Sequence, residues 1–322
     1  MLATDERALG VAAGRGYLLA GLGGEAPAAP AWFRASLAVA PERRFIPVNG
    51  VQIETLSWGS RGLPGLILLH GQGACADWWS FIAPFFASDF RVTAISWAGM
   101  GRSGWRDAYQ LGAYAQDMFA VALECGIYDA PCRPLAVAHS FGGMPLLFAA
   151  AHKGSALKGA VLVDSYVPGT NRKAPASLPR NPDKIRSFST LREALARFRL
   201  LPQQECDNLF LVDYIARHSL LQQPLSPEVP EGWRWRVDPD IRRKTVGDEV
   251  ARYLSQVACP VALLRGARSS LCTAEYQRKV LSLAPNGTPS LTIPDAAHHV
   301  MLDQPLALIA GLQGLFAGWP CP

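Results

Sequence analysis

Ser140 stands in the stretch LAVAHSFGGM, residues 135–144, between apolar β-formers and a pair of glycines. A strand that runs straight into a helix bends there through a tight, strained turn, which lifts one side chain above the edge of the sheet. Residues two before and two after that side chain must be small. Here they are Ala138 and Gly142, with Gly143 easing the helix against the strand. A hydroxyl held in this way can attack a carbonyl carbon. A serine at the same place can also simply cap the following helix, and the spacing A-x-S-x-G leaves both readings open.

Two further stretches bear on that choice. The apolar run GLILLH, residues 65–70, ends in His70-Gly71-Gln72-Gly73, a loop whose glycines let backbone amides turn toward one point. Late in the chain stands IPDAAHHVMLDQP, with a histidine just beyond a β-rich run and Pro305 seven residues after His298. Serine hydroxyl, convergent amides and imidazole are the parts that acyl transfer needs. The hydroxyl is a poor nucleophile until a base takes its proton, and the oxyanion that follows needs preorganised donors.

The elements that must position these groups alternate along the chain. RFIPV and QIETLSW read as antiparallel strands joined at Asn49-Gly50, a tight-turn pair. Strands at GLILLH, RVTAIS, PLAVAH, LKGAVLVD, PVALLRG and PSLTIP are separated by helical patterns at residues 77–87, 111–126, 141–154, 273–284 and 304–318. Such alternation predicts an α/β fold with a mainly parallel sheet covered by helices on both faces. It stops between about residues 165 and 255, where the chain turns Pro-rich and helical in pattern. The expected organisation is an N-terminal arm over 1–40, a core over 41–164 and 256–322, and a helical lid over 165–255.

Composition narrows the function classes. The chain has 322 residues, 49% of them hydrophobic, enough for a large core. Its net charge of +5 is spread without basic blocks, which argues against nucleic acid. No apolar run reaches membrane-span length, and Asp5 and Glu6 stand where a signal peptide would carry basic residues; a cytoplasmic location is expected. The seven cysteines (75, 125, 132, 206, 259, 272 and 321) show neither disulfide-framework nor zinc spacing, so reduced thiols and no metal are expected. Nothing in the sequence points to a cofactor. Oligomeric state is not legible.

Taken together, the His-Gly loop, the S-x-G-G elbow, the turn WAGMGRSG at 97–104 and the terminal H-x-x-x-L-D-x-P pattern resemble the α/β-hydrolase superfamily. The resemblance covers about residues 44–164 and 256–318. The sequence departs from the family's pattern at Ala138 for Gly, Ser96 where Asp is common, and Ala297 for the Gly before the histidine. What the resemblance implies is an eight-stranded sheet, Ser140 as nucleophile, His298 as general base, and the amides of Gln72 and Phe141 as the oxyanion hole. His299 competes with His298, and the proline spacing favours 298. His139, beside the nucleophile on a strand end, should point away from it and be structural, though it is kept with Gly71 and Trp78 among the residues that could line the substrate site.

The acid of the triad is a choice between positions. Most of the superfamily carries it after the strand that follows the lid, three residues beyond a glycine. That strand reads LLRGARSSL and offers Ser269 and Ser270, neither of which can hold a charge. The other site the superfamily uses, the end of the strand before the lid, offers Asp164 in AVLVDSY, and Asp164 is the expected acid. Glu275, expected to open a surface helix, and Asp295, expected to shape its loop, are the alternatives, with a dyad completed by serine or water as another.

A serine in the elbow disfavours the epoxide-hydrolase and dehalogenase chemistry of related families, which needs a carboxylate there. The expected function is a serine hydrolase acting on a small-molecule ester-type acyl bond, as a carboxylesterase, lactonase or thioesterase. Hydrolysis of a carbon–carbon bond in a diketone-like substrate is the alternative, and a non-catalytic binding protein is the rival from another class. The lid aromatics Phe188, Phe198, Phe210, Tyr214, Trp233 and Trp235 could roof an apolar pocket, with Trp233 and Trp235 as substrate contacts, or could be lid core. The lid arginines Arg186, Arg192, Arg197, Arg199, Arg234 and Arg236 fit a carboxylate-bearing substrate or solvated helix faces.

Overall fold

Asn49 and Gly50 take left-handed backbone angles, φ 48° and 82°, and close a two-residue hairpin between β1 (Glu42–Val48) and β2 (Val51–Trp58). Positive φ at both central residues gives the turn the twist of the strands it joins. The computed structural model describes residues 17–167, 169, 187–224, 231–245 and 249–319. The chain divides into two compact units, Met1–Ala31 with Asn181–Arg236, and Trp32–Arg180 with Val237–Pro322.

The larger unit holds an eight-stranded sheet. The hairpin is followed by β3 (Gly65–Leu69), β4 (Arg91–Ile95), β5 (Leu135–His139), β6 (Gly159–Val163), β7 (Val261–Gly266) and β8 (Ser290–Ile293), in the spatial order β1-β2-β4-β3-β5-β6-β7-β8. Only the pairings of β1 with β2 and of β2 with β4 are antiparallel. Strands β3 to β6 are buried at every position, as continuous apolar runs covered on both faces must be. Helix α1 (Leu111–Glu124) buries Leu111, Tyr114, Ala115, Met118, Val121 and Ala122, one face at helical spacing. Helices α2 (Gly143–Lys153), α3 (Ala274–Leu281), α4 (Val300–Asp303) and α5 (Pro305–Ala317) belong to the same unit.

Three expectations are corrected. DWWSFIAPFFA does not form one helix. It forms two 3-10 turns, Ala76–Trp79 and Ala83–Phe86, because Pro84 has no amide with which to continue the ladder. The segment expected to be helical also carries a three-stranded antiparallel sheet, Ser187–Phe188, Gly232–Trp235 and Leu220–Gln223, beside helices Leu191–Ala196 and Leu209–His218. Thr190 caps the first of these helices, its side chain accepting from Glu193 N–H. Lastly, Cys132 is disulfide-bonded, with its partner outside the described residues, while Cys75, Cys125, Cys206, Cys259 and Cys272 are thiols.

Within the smaller unit Trp235 packs against Phe188 and Phe198, ring centroids 5.8 and 5.7 Å away. Trp235 is therefore part of that unit's own aromatic core, and Trp233 lies two residues before it on the same strand. Arg186 falls outside the described residues. Among the described residues no helix is long and apolar enough to cross a membrane.

Candidate active site

Ser140 directly follows β5 and takes φ +53°, a left-handed angle that costs an L-residue about 1–2 kcal/mol and that the packing around the turn must hold. The reason for the small neighbours is visible in the contacts. A Cβ on Gly142 would come within 2.7 Å of the His70 carbonyl oxygen, and one on Gly143 would overlap the Ser165 side chain. Ala138 is fully buried and is accommodated in β5, so its methyl group does not prevent the bend.

His298 lies in the loop after β8, and its ring is fixed from both sides. Its Nδ1 is 2.8 Å from Asp164 Oδ1 and its Nε2 is 2.9 Å from Ser140 Oγ. A carboxylate can only accept, so Nδ1 carries the proton; the lone pair on Nε2 then faces the serine, whose hydroxyl donates to it. Asp164 follows directly on β6 and is 1% exposed. Its Oδ2 accepts from Gly266 N–H at 2.9 Å, and its Oδ1 also accepts from Ser269 Oγ at 2.7 Å. The structure thus brings Asp164 to the imidazole. Glu275 sits in the first turn of α3, and Asp295, three-quarters exposed, pairs with Arg268. Ser269 meets the acid, not the histidine.

The loop carrying His298 is pinned by Asp303 and His139. Asp303 Oδ2 accepts from Ala297 N–H at 2.7 Å, which gives a physical role to the aspartate of the H-x-x-x-L-D-x-P pattern. His139 donates from Nε2 to the His298 carbonyl oxygen at 3.0 Å. His139 is buried and directed into this loop, where it supports the His298 backbone, as the structural reading of this residue expects. Gly266 faces the same loop, where a Cβ would overlap the carbonyls of Ala296 and Ala297. The rings of His139 and His299 lie 4.8 Å from that of His298, and Trp78 lies 5.7 Å from His299. Burial, reinforced by the nearby His298, pushes both His139 and His299 well below the usual imidazole range, which keeps them neutral.

The His-Gly loop abuts the elbow, since a Cβ on Gly71 would lie 3.1 Å from Ser140 Cβ. His70 anchors it. Its Nε2 accepts from Trp97 N–H at 3.0 Å, its Nδ1 donates to the Gly71 carbonyl at 2.7 Å, and burial lowers its pKa to about 4. Among the described residues no backbone hydrogen bond outside regular helices and strands uses the amide of Gln72 or Phe141 as donor. The Phe141 amide belongs to the first turn leading into α2, where helical N–H groups have no intrahelical partner.

Behind the loop lies a buried polar network absent from the sequence reading. Glu54 on β2 is fully buried; its Oε2 accepts from Ser96 Oγ at 2.8 Å and from Arg102 N–H at 2.9 Å, and its Oε1 pairs with Arg43. Ser96 Oγ accepts in turn from Ala76 N–H, and Arg43 also binds Asp77 at 2.7 Å. Ser96 stands where the superfamily pattern has an aspartate. The carboxylate that holds the 97–104 turn is supplied instead from the neighbouring strand.

The description "Alpha/beta hydrolase family" is that of the family model which matches residues 66–312. The chain is 28% identical over 256 residues, 78% of this chain and 92% of the other, to the pimeloyl-[acyl-carrier protein] methyl ester esterase of Edwardsiella ictaluri. It is 24% identical over 280 residues, 83% and 87% of the two chains, to the esterase Rv0045c of Mycobacterium tuberculosis. Among solved structures it resembles the thioesterase domain from the curacin biosynthetic pathway, with a TM-score of 0.65 at 22% identity, covering 85% of this chain and 99% of that one. A family match over more than half of the chain, on a sheet whose order and elbow are those described above, makes this protein a member of the alpha/beta hydrolase family.

Proposed function

We propose that this protein is a serine hydrolase that cleaves an ester-type acyl bond through an acyl-enzyme on Ser140. The observation that carries the reading is the unbroken hydrogen-bonded line Ser140–His298–Asp164, at 2.9 and 2.8 Å. In this reading His298 Nε2 takes the hydroxyl proton as Ser140 Oγ attacks the carbonyl carbon. The amides of Gln72 and Phe141 bind the resulting oxyanion, and Asp164 stabilises the imidazolium. His298 then gives the proton to the departing alcohol or thiol. Water, deprotonated by the same nitrogen, attacks the acyl-enzyme; the tetrahedral intermediate collapses with release of the acid as His298 returns the proton to the departing Ser140 Oγ.

The names of the two curated relatives, both esterases, support an ester over the carbon–carbon bond alternative. The proposal keeps Gly71 and Trp78 at the acyl end of the site, and the segment 165–255, with Trp233 and Trp235, as the lid that selects a small-molecule substrate. A cytoplasmic location belongs to the same reading. The five cysteine thiols support it and the Cys132 disulfide opposes it, and fractionation of the native host decides. The functional test is a fluorophosphonate probe with a series of nitrophenyl esters. Labelling at Ser140 with release of nitrophenol is the expected result; neither labelling nor release overturns the reading in favour of a binding protein.

A further inference from the structure

Ser269 occupies the position, three residues beyond Gly266, where the superfamily resemblance would put the acid, and its hydroxyl reaches the acid that this chain carries elsewhere. We propose that Ser269 is a positioning residue of the catalytic machinery, holding the Asp164 carboxylate in the orientation that presents Oδ1 to His298. The proposal rests on the reading of Ser140, His298 and Asp164 given above.

The hydrogen bonds of one hydroxyl make the argument. Ser269 is buried, 5% exposed, and its Oγ accepts from the amides of Leu271 at 3.2 Å and Cys272 at 2.9 Å. A hydroxyl has two lone pairs and one proton. With both lone pairs engaged by amides, the proton must point outward, and it meets Asp164 Oδ1 at 2.7 Å, a short distance typical of a hydroxyl donating to a carboxylate. Gly266 N–H holds the other oxygen, Oδ2. Both donors come from β7 and the loop after it, so the carboxylate cannot rotate about its last bond. Oδ1 keeps its remaining lone pair for His298 Nδ1. The loop that would carry the acid in the commoner arrangement has become the clamp for an acid on β6.

The bland alternative is that Ser269 only ties its own loop through Leu271 and Cys272. A double-variant cycle separates the two, because a group that acts through a carboxylate has nothing to act on once that carboxylate is gone. Ser269→Ala should lower kcat by about tenfold with KM within about twofold, the size expected for a lost hydrogen bond to a charged group. In an Asp164→Ala background the same change should cost less than about twofold. Equal losses in both backgrounds, or no loss in the first, overturn the proposal. Removing the donor leaves more charge on Oδ1 for the imidazolium, so the acidic limb of kcat/KM should move to higher pH. If Ser269→Ala does not fold, Ser269→Cys keeps the shape with a weak donor and should show the same signs, smaller in size; wild-type behaviour in that variant overturns the proposal equally. The same displacement should appear in an NMR titration of the His298 ring, which needs no turnover. If esters are not cleaved at all, the reading of the site fails, while the titration still decides the role of Ser269.

Discussion

Ser140 and Asp164 are the next residues of two adjacent parallel strands. His139 pairs with Val163 in the β5–β6 register, and each chain then bends into left-handed backbone, at φ +53° and +45°. Strand ends of a parallel sheet all open on one edge, so the two side chains emerge on the same side and His298 needs to reach both from a single loop.

Replacing Asp164 by Asn keeps the shape and removes the charge. It should lower kcat by roughly 10²- to 10⁴-fold with the thermal unfolding midpoint little changed. Glu275→Gln and Asp295→Asn should stay within about twofold of wild type, because neither acid is at the imidazole. Steady-state kinetics on one nitrophenyl ester measures all three, and a dead Glu275→Gln beside an active Asp164→Asn moves the acid to the loop after β7.

Ser140→Ala should abolish fluorophosphonate labelling and leave less than about 1% of wild-type turnover, with the circular dichroism spectrum unchanged.

Gly266→Ala tests the fit between β7 and the histidine loop. The new methyl group would overlap the carbonyls of Ala296 and Ala297, and the backbone on one side must move. Turnover should fall by about 10²-fold, the order expected when a catalytic group shifts by about 1 Å. A high-temperature melt with full activity would show that the loop yields without consequence.

Glu54→Ala leaves Arg43 without one of its two carboxylates and Ser96 without its acceptor. Breaking a buried pair from one side should cost on the order of 3–5 kcal/mol, read by urea unfolding. Since Asp77 still binds Arg43, the lower end is expected. A variant as stable as wild type would mean that the network contributes nothing.

Stability should fall as the pH drops below about 6.5, because His70, held neutral down to about 4, binds its proton more readily once unfolded. His139 and His299 act in the same direction. Each contributes on the order of 1.4 kcal/mol per pH unit where the unfolded imidazole is charged and the folded one is not. Thermal unfolding between pH 8 and 4 measures the slope, and His70→Gln, which can still accept from Trp97 and donate to Gly71, should reduce it.

Much of this protein was legible in one dimension because the determinants are local. Asn49-Gly50 dictates its hairpin through the steric freedom of two residues, the buried strands through uninterrupted apolar runs, and the Ser140 elbow through the size of neighbours two positions away. His298 was legible by its spacing to Pro305. What only the tertiary structure decided are the partners brought together from far along the chain. His298 meets Asp164 across 134 residues, Ser269 meets Asp164 across 105, and Glu54 meets Ser96 across 42. Asp164 was legible as the expected acid from its place at a strand end, but no short pattern excludes Glu275 or Asp295, since a carboxylate on any strand that ends near the site satisfies the same hydrogen bond. The packing of strands β2, β6 and β7 selects which carboxylate is within 3 Å, and so it set Asp164, not Glu275 or Asp295, against the imidazole, left Ser269 as its donor, and let Glu54 stand in for the aspartate missing at Ser96.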